Sequence, residues 1–402
     1  MRITRVETVR TGNIPRWVWV RVHTDSGIIG LGESTAVSSP TEAHIRTELA
    51  PYLIGKDPMQ VAELHEGMQY RSRIGPNGSA EWRAISAVDI ALWDIVGQAT
   101  NAPIHQALGG RVRDSIPIYN TCADWRYAVR SGSTAFGLSS PTDHETPPGK
   151  YDDLQGFLND AGSVAESLLD EGIKAMKIWP FDQFVRKTNG QHISAEDVNK
   201  GMEPFRKIRE RVGNKIEIMA ELHGMWNIPS VVKIVNALEE VDPYWVEDVT
   251  TADNIEGIRQ VQDRTHLTVL GNETLASAEA YLPMLSSGAI RILMFDTTFV
   301  GGFTEARKVM SLAESHKVPA TPHDCNGPVN LFAGIHLCMH APNAFIQETT
   351  RAFIHEVYGR VVDRLPRIEN GIVYAPEDPG IGTALREDFL VDPATVITTV
   401  EG

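Results

Sequence analysis

The chain has 402 residues, of which 42% are hydrophobic and 22% charged, with 33 Gly and 23 Pro, a composition that excludes disordered and collagenous classes and leaves ample material for a core. Lys and Arg number 37 against 52 Asp and Glu, for a net charge of −15; with no block of basic residues, a phosphate-backbone footprint and a nucleic-acid partner are excluded. The first ten residues, MRITRVETVR, carry charges throughout, and no run of about 18 apolar residues follows, so neither export nor a membrane span is expected and the expected location is the cytoplasm.

The opening residues alternate as strands, ITRVETVRT and then WVWVRVHTDSGIIGLGEST, with Asp25, Ser26 and Gly27 supplying a tight hairpin turn. From Ser39 to about Gly109 the period becomes helical. Ile85, Val88, Ala91, Leu92 and Ile95 mark one long apolar helix face, so the N-terminal region reads as α+β. A short apolar run, IPIYNTC, follows Gly109–Gly110, and then a Ser/Gly/Pro/Thr-rich stretch, roughly Arg130 to Lys150, reads as a long loop of binding-lid type.

From Asp160 onward helix-period segments alternate with the runs IKAMKIW, IEIMAEL, YWVED, LTVLGNE, IRILMFD, VPATPHD and FIQE. Strand–helix alternation means a parallel sheet, and a series this long favours closure into a (β/α)-barrel over a doubly wound sheet. No GxGxxG fingerprint follows a first strand, and Gly301–Gly302 stands alone. The last 38 or so residues are punctuated by Pro and Gly, and are expected to leave the barrel and rejoin the N-terminal region. Cys122, Cys325 and Cys338 form no CxxC pair, which suits a reducing compartment and argues against thiolate zinc; Cys338 reads as a core filler.

Polar residues sit at the C-terminal ends of these runs, where barrel active sites lie. Glu221, Glu247 and Glu273 are spaced by 26 residues each (247 − 221 and 273 − 247), one β/α unit apart, so three carboxylates meet at one rim. Like charges that close call for a counter-ion, and an all-oxygen donor set points to Mg²⁺, with Mn²⁺ as a substitute, rather than zinc.

The rhythm continues through Asp296, His323 and Glu348. A carboxylate beside an imidazole fixes its tautomer and raises its basicity, which makes His323, paired with Asp296, a general-base candidate. Across the proposed metal, Lys177 would stabilise negative charge. His223, two residues past Glu221 and so on the same strand face, could protonate a leaving group. Trp179 and Trp226, near these positions, read either as walls of the pocket or as plain packing.

The chain resembles the enolase superfamily, mandelate racemase group, over essentially its whole length. The resemblance rests on SAVDIALWDIVGQATNAPIHQALGG, the ends at Glu221, Glu247 and Glu273, the Asp296/His323 dyad, Glu348 and the closing PEDPGIG. It implies a (β/α)₇β barrel (115–364) under an α+β capping domain built from residues 1–114 and the returning segment 365–402. It also implies abstraction of the proton α to a carboxylate, with one Mg²⁺ stabilising an enediolate. Loops near Asn13–Trp17 and Arg73–Trp82 would close over the substrate, so Trp17 and Arg73 are expected to touch it.

Racemases of the group carry Lys-x-Lys where this chain reads Lys177–Ile178–Trp179, so a second base is missing. Glu221–Leu222–His223–Gly224 is instead similar to the Asp-x-His-Gly of galactonate-type sugar-acid dehydratases, with Glu in place of Asp. The resemblance therefore implies a hydro-lyase that converts a sugar acid to a 2-keto-3-deoxy acid. In it His323 is the base, His223 the acid, Lys177 a charge stabiliser and Glu348 a hydrogen-bonding partner of the enediolate. An epimerase, racemase or cycloisomerase on the same fold, or a non-catalytic sugar-acid sensor, are the alternatives. The expected partners are a small-molecule carboxylate and further copies of the chain. At a net charge of −15 an anionic substrate gains no long-range attraction, so attraction must come from the local cation and Lys177.

Overall fold

The computed structural model describes residues 1–72, 79–129 and 149–402. Strands β1 (Ile3–Thr11), β2 (Val18–Thr24) and β3 (Ile29–Ser34) form an antiparallel meander, as the alternating pattern predicts. Helix Ala80–Ala99 lies on β3 with Ile85, Val88, Ala91, Leu92 and Ile95 fully buried. Their approach requires glycine: a Cβ on Gly32 would stand 1.8 Å from the Ala87 carbonyl oxygen.

Eight parallel strands follow: β4 (Ser115–Thr121), β5 (Ala175–Ile178), β6 (Glu217–Glu221), β7 (Trp245–Glu247), β8 (Val269–Gly271), β9 (Ile292–Phe295), β10 (Ala320–Pro322) and β11 (Gln347–Thr349). They pair in sequence order from β4 to β10, and β11 returns to pair with β4. Between β10 and β11 there is no ladder. One bridge, Ala320 with Ala344, and the hydrogen bond from Ala320 N–H to the Asn343 carbonyl at 3.0 Å join that seam. Arg351, just past β11, braces the β11–β4 side through a buried bidentate pair with Asp153, at 2.6 and 2.8 Å.

Tyr119, Ala175, Met219, Trp245, Leu270, Met294 and Ile346 gather into one apolar cluster with members from successive strands. Side chains two residues apart share a strand face. The next inward layer is therefore Thr121, Lys177, Glu221, Glu247, Asn272, Asp296 and Glu348. An apolar floor under a polar rim follows from strand period alone. Glu273 is out of phase by one residue, because β8 ends at Gly271 and the pleat no longer binds the chain beyond it.

After the eighth strand, β12 (Ile368–Glu369) and β13 (Ile372–Tyr374) form a short hairpin, with β13 antiparallel to β4. The final strand, β14 (Thr395–Glu401), pairs with β1 in the order β14-β1-β2-β3. The chain end thus pairs with the N-terminal sheet, through a strand that the Pro/Gly-rich reading of the tail did not anticipate. Most of the loop read as a lid, 130–148, and residues 73–78 lie outside the described residues. Among the described residues no helix is long and apolar enough to cross a membrane.

The N-terminal layer docks on the parallel sheet through a buried charge cluster. Asp89 accepts hydrogen bonds from the Thr304 backbone N–H at 3.0 Å and the Thr304 hydroxyl at 2.5 Å, and meets His65 Nδ1 at 3.0 Å. Glu305 stands 3.5 Å from His65 Nε2. Gly301–Gly302 is thereby explained as a docking turn: Gly302 has φ +73°, and a Cβ there would meet Asp89 Oδ1 at 2.3 Å.

Burial alone would lower the His65 pKa, but hydrogen bonding to Asp89 and Glu305 outweighs it and raises it to about 9. A raised folded-state pKa gives stability that is complete below the unfolded value near 6.5 and is lost as pH climbs through about 9. The shift corresponds to on the order of 3 kcal/mol. Urea midpoints measured at pH 6 and pH 9.5 are expected to fall far more for the wild type than for His65→Gln; equal falls would remove His65 as the source.

Candidate active site

The rim is organised by one cation. Lys177, on β5 and 3% exposed, places Nζ 2.5 Å from Glu247 Oε1, 3.0 Å from Glu348 Oε1 and 3.5 Å from Glu221 Oε2. Burial opposes its charge, but Glu247 and Glu348, with further help from Glu221, hold its pKa well above the usual lysine value. Glu247 also accepts from Trp245 Nε1 at 2.9 Å. Glu348 is met by the Asp324 backbone N–H at 2.9 Å and by the Thr121 hydroxyl. Burial works against its ionisation, yet Lys177 and His323 bring its pKa down to about 2. Glu348 is thus an ionised group paired with donors.

Two histidine–carboxylate dyads flank this centre. His323, the residue after β10, has Nδ1 2.7 Å from Asp296 Oδ2. Asp296 also accepts from Asn326 Nδ2 at 2.5 Å and Asn330 Nδ2 at 3.2 Å, and its other oxygen accepts from the Thr298 N–H and hydroxyl at 2.7 and 2.6 Å. With Oδ2 accepting, the proton sits on Nδ1, and Nε2 is left as the nitrogen that can exchange one. His223 stands four strands away along the series, just past β6, with Nδ1 2.7 Å from Asp182 Oδ2.

Both imidazoles line one cleft together with Lys177, Glu221, Glu273 and Trp179. Burial lowers both histidine pKa values, but surrounding carboxylates more than reverse it. Asp182 and Glu221 bring His223 to about 9, and Glu348, Asp296 and Glu273 bring His323 to about 10.

The negative charge of the rim is incompletely compensated. Among the described residues Glu273 Oε2 and Asp248 Oδ1 are buried without a hydrogen-bond partner. Burial, and then Glu273, Glu221 and Glu247, push the Asp248 carboxyl well above the ordinary range. Unpartnered buried carboxylate oxygens are costly, and an all-oxygen set of this kind fits a hard divalent cation. Glu221, Glu247 and Glu273 would hold it, with Asp248 adjacent. Among the described residues no three acidic, His or Cys side chains are already gathered as a metal cage; Lys177 Nζ stands between the carboxylates of β6 and β7 instead.

Lys177, Glu221, Glu247, Glu273, Asp296, His323, His223 and Glu348 are brought to this one rim, and Trp179 lies edge-on to His223 at 5.7 Å. The other two tryptophans are elsewhere. Trp17 is buried against Trp19, Phe353 and Tyr358, and Trp226 is a core residue that does not line the cleft. Large aromatics gain more from full burial than from a wet cleft wall. Arg73 lies outside the described residues.

Sequence reasoning missed Asp182, Asp248, Arg16 and Arg83. Asp182 opens a short helical turn five residues past Lys177, beyond the end of β5 and so beyond the reach of strand counting. Arg83 is in phase with the buried Ala87, Ile90 and Ala91, and a charge on an apolar stripe is the signal that could have found it.

Residues 160–389 match the family described as enolase C-terminal domain-like, and residues 4–109 match the mandelate racemase / muconate lactonizing enzyme N-terminal domain. The chain belongs to the enolase superfamily. Superfamily members typically use Mg²⁺. This member is 29% identical to a D-galactonate dehydratase of Verminephrobacter eiseniae over 98% of its length and 94% of the relative's, and 28% identical to one of Ralstonia nicotianae with the same coverage. An enolase from Sargasso Sea environmental sequencing superposes with a TM-score of 0.88 at 39% identity, covering 100% of this chain and 99% of the other. An enolase of the mandelate racemase subgroup from Agrobacterium tumefaciens gives 0.87 at 37%, with the same coverage.

If the carboxylate rim takes a divalent cation, stripping with a chelator and restoring Mg²⁺ should raise the melting temperature. Saturation near a hundredfold over Kd is worth about 2.7 kcal/mol, a shift of several degrees. Glu273→Gln should lose most of that response, and a Mg²⁺-indifferent wild type would rule the assignment out.

Proposed function

We propose that this member of the superfamily is a sugar-acid dehydratase, which removes the proton α to a carboxylate and eliminates water to give a 2-keto-3-deoxy acid. The supporting observation is the pair of histidine–carboxylate dyads, four strands apart, that line a single cleft. A reaction that removes one proton and donates another needs two separately oriented groups. The galactonate dehydratases it resembles favour a sugar acid as substrate. In this reading the eight parallel strands are the (β/α)₇β barrel, 115–364, and residues 1–114 and 365–402 form its cap.

His323 Nε2 takes the C2 proton while Asp296 holds the imidazolium that results. The released electron pair moves onto the substrate carboxylate, and Lys177, fixed by Glu247 and Glu348, adds positive charge on that side of the cleft. Glu221, Glu247 and Glu273 would hold a divalent cation, which would supply Lewis-acid stabilisation of that negative charge. His223, held protonated by Asp182, gives its proton to the 3-hydroxyl as the C3–O bond breaks, and the enol product then ketonises. Trp179 occupies the position where a second lysine would be required for racemisation, which disfavours proton delivery to the opposite face.

The test is a panel of aldonic and aldaric acids with Mg²⁺ in D₂O, scored for 2-keto-3-deoxy product and for deuterium at C2. His323→Asn should abolish both, by about 10² to 10⁴-fold. His223→Asn should lose product by a similar factor while retaining C2 exchange. Product formation by His323→Asn at the wild-type rate would overturn the assignment of the base, and exchange without product in the wild type would move the reaction to epimerisation.

A further inference from the structure

In the same cleft the N-terminal region presents two guanidinium groups that the proposed chemistry does not use. Arg83, in the first turns of helix Ala80–Ala99, is 9% exposed, and its Cζ lies 3.5 Å from the centroid of the Phe299 ring. Among the described residues its buried Nε and Nη1 have no hydrogen-bond partner, and no carboxylate stands within ion-pair distance of it. Asp296 and Glu273 act on it only through longer-range attraction, and Arg16 acts on it as a like charge. Arg16, in the β1–β2 connection, also lines the cleft, where it donates from Nη1 to the Tyr127 carbonyl at 3.0 Å and lies 5.0 Å over that ring.

Two buried like charges, one of them with unpartnered N–H groups, are costly unless an anion joins them. A guanidinium is the side chain best shaped to receive a carboxylate, and the Phe299 face fixes its plane. The rim itself cannot supply that anion, because its carboxylates are committed to Lys177, the histidines and the proposed cation. The reacting carboxylate is directed to the Lys177 side on β5, whereas Phe299 and Arg83 stand beside β9 and His323. The anion that completes this site is therefore a second one.

We propose that Arg83, supported by Arg16, binds a second carboxylate at the far end of the substrate, so that the enzyme acts on a diacid of the aldaric class in preference to the matching monoacid. This rests on the sugar-acid reading above and narrows it. The site selects by contrast as well as attraction: a terminal hydroxymethyl group would leave the guanidinium nitrogens unpaired.

The experiment compares stereochemically matched aldarates and aldonates in two readouts, steady-state turnover by the wild type and binding to His323→Asn measured calorimetrically. Wild type should favour the aldarate by about 10- to 100-fold in kcat/KM, the scale of a charge-assisted hydrogen bond between buried groups. Arg83→Gln should erase that preference by raising KM for the aldarate while leaving the aldonate nearly unchanged, and Arg83→Lys should restore part of it.

Equal use of both acids by the wild type, or an equal loss for both in Arg83→Gln, would overturn the proposal while dehydration itself stood. Arg83-dependent binding of the aldarate to His323→Asn without turnover by the wild type would uphold the diacid site and overturn the dehydratase reading. The wild-type comparison needs no substitution, so a poorly folding variant cannot mask the answer.

Discussion

The buried ammonium of Lys177 is the interaction on which the site depends. Three carboxylates from β6, β7 and β11 converge on it, and negative charges that close in a dry interior need such a counter-ion. Its single charge is nevertheless too small for the rim. Asp248 and Glu273 retain unpartnered oxygens, and both histidines are pulled well above their ordinary pKa by the surplus. One charge imbalance thus accounts for the expected cation, for the protonated state of His223 and for the high proton affinity of His323. A cation on Glu221, Glu247 and Glu273 would weaken the field on His323, moving it toward the range in which an imidazole accepts a proton at neutral pH.

The rim was legible in the sequence because two periodicities coincide there. The β/α repeat places strand ends about 26 residues apart, and the pleat places each polar side chain two residues beyond an inward apolar one, as in Ala175–Lys177, Met219–Glu221 and Trp245–Glu247. Both are local rules, and they survive folding unchanged. The Asp296–His323 pair could be read for the same reason, since adjacent parallel strands end side by side.

What escaped was whatever depends on a meeting between layers. Arg16 and Arg83 come from the N-terminal region, and no spacing rule relates residue 83 to residue 299. Asp182 sits in a loop whose path is set by packing rather than by strand period. Trp17 failed in the opposite sense. Its place in a specificity loop suggested a substrate contact, but a free energy of burial of a few kcal/mol drew the indole into the core, and its neighbour Arg16 faces the cleft instead. The β10–β11 seam was likewise unreadable, because a repeat pattern implies a ring without specifying how its last two strands meet.

The segment that follows β9 ties these layers together. Within nine residues it supplies Asp296, which orients His323; Phe299, which carries the Arg83 guanidinium; and the Gly302–Thr304 turn that receives Asp89. Asp89 and Arg83 belong to one helix, six residues apart, so docking of the first fixes the height of the second over the cleft. A shift of that helix by one turn, about 5.4 Å, would remove Arg83 from Phe299 and at the same time uncouple Asp89 from His65. The charge cluster that holds the layers together and the guanidinium that lines the cleft are therefore one mechanical unit. For that reason the compactness of the Gly301–Gly302 turn matters to the chemistry as well as to the fold.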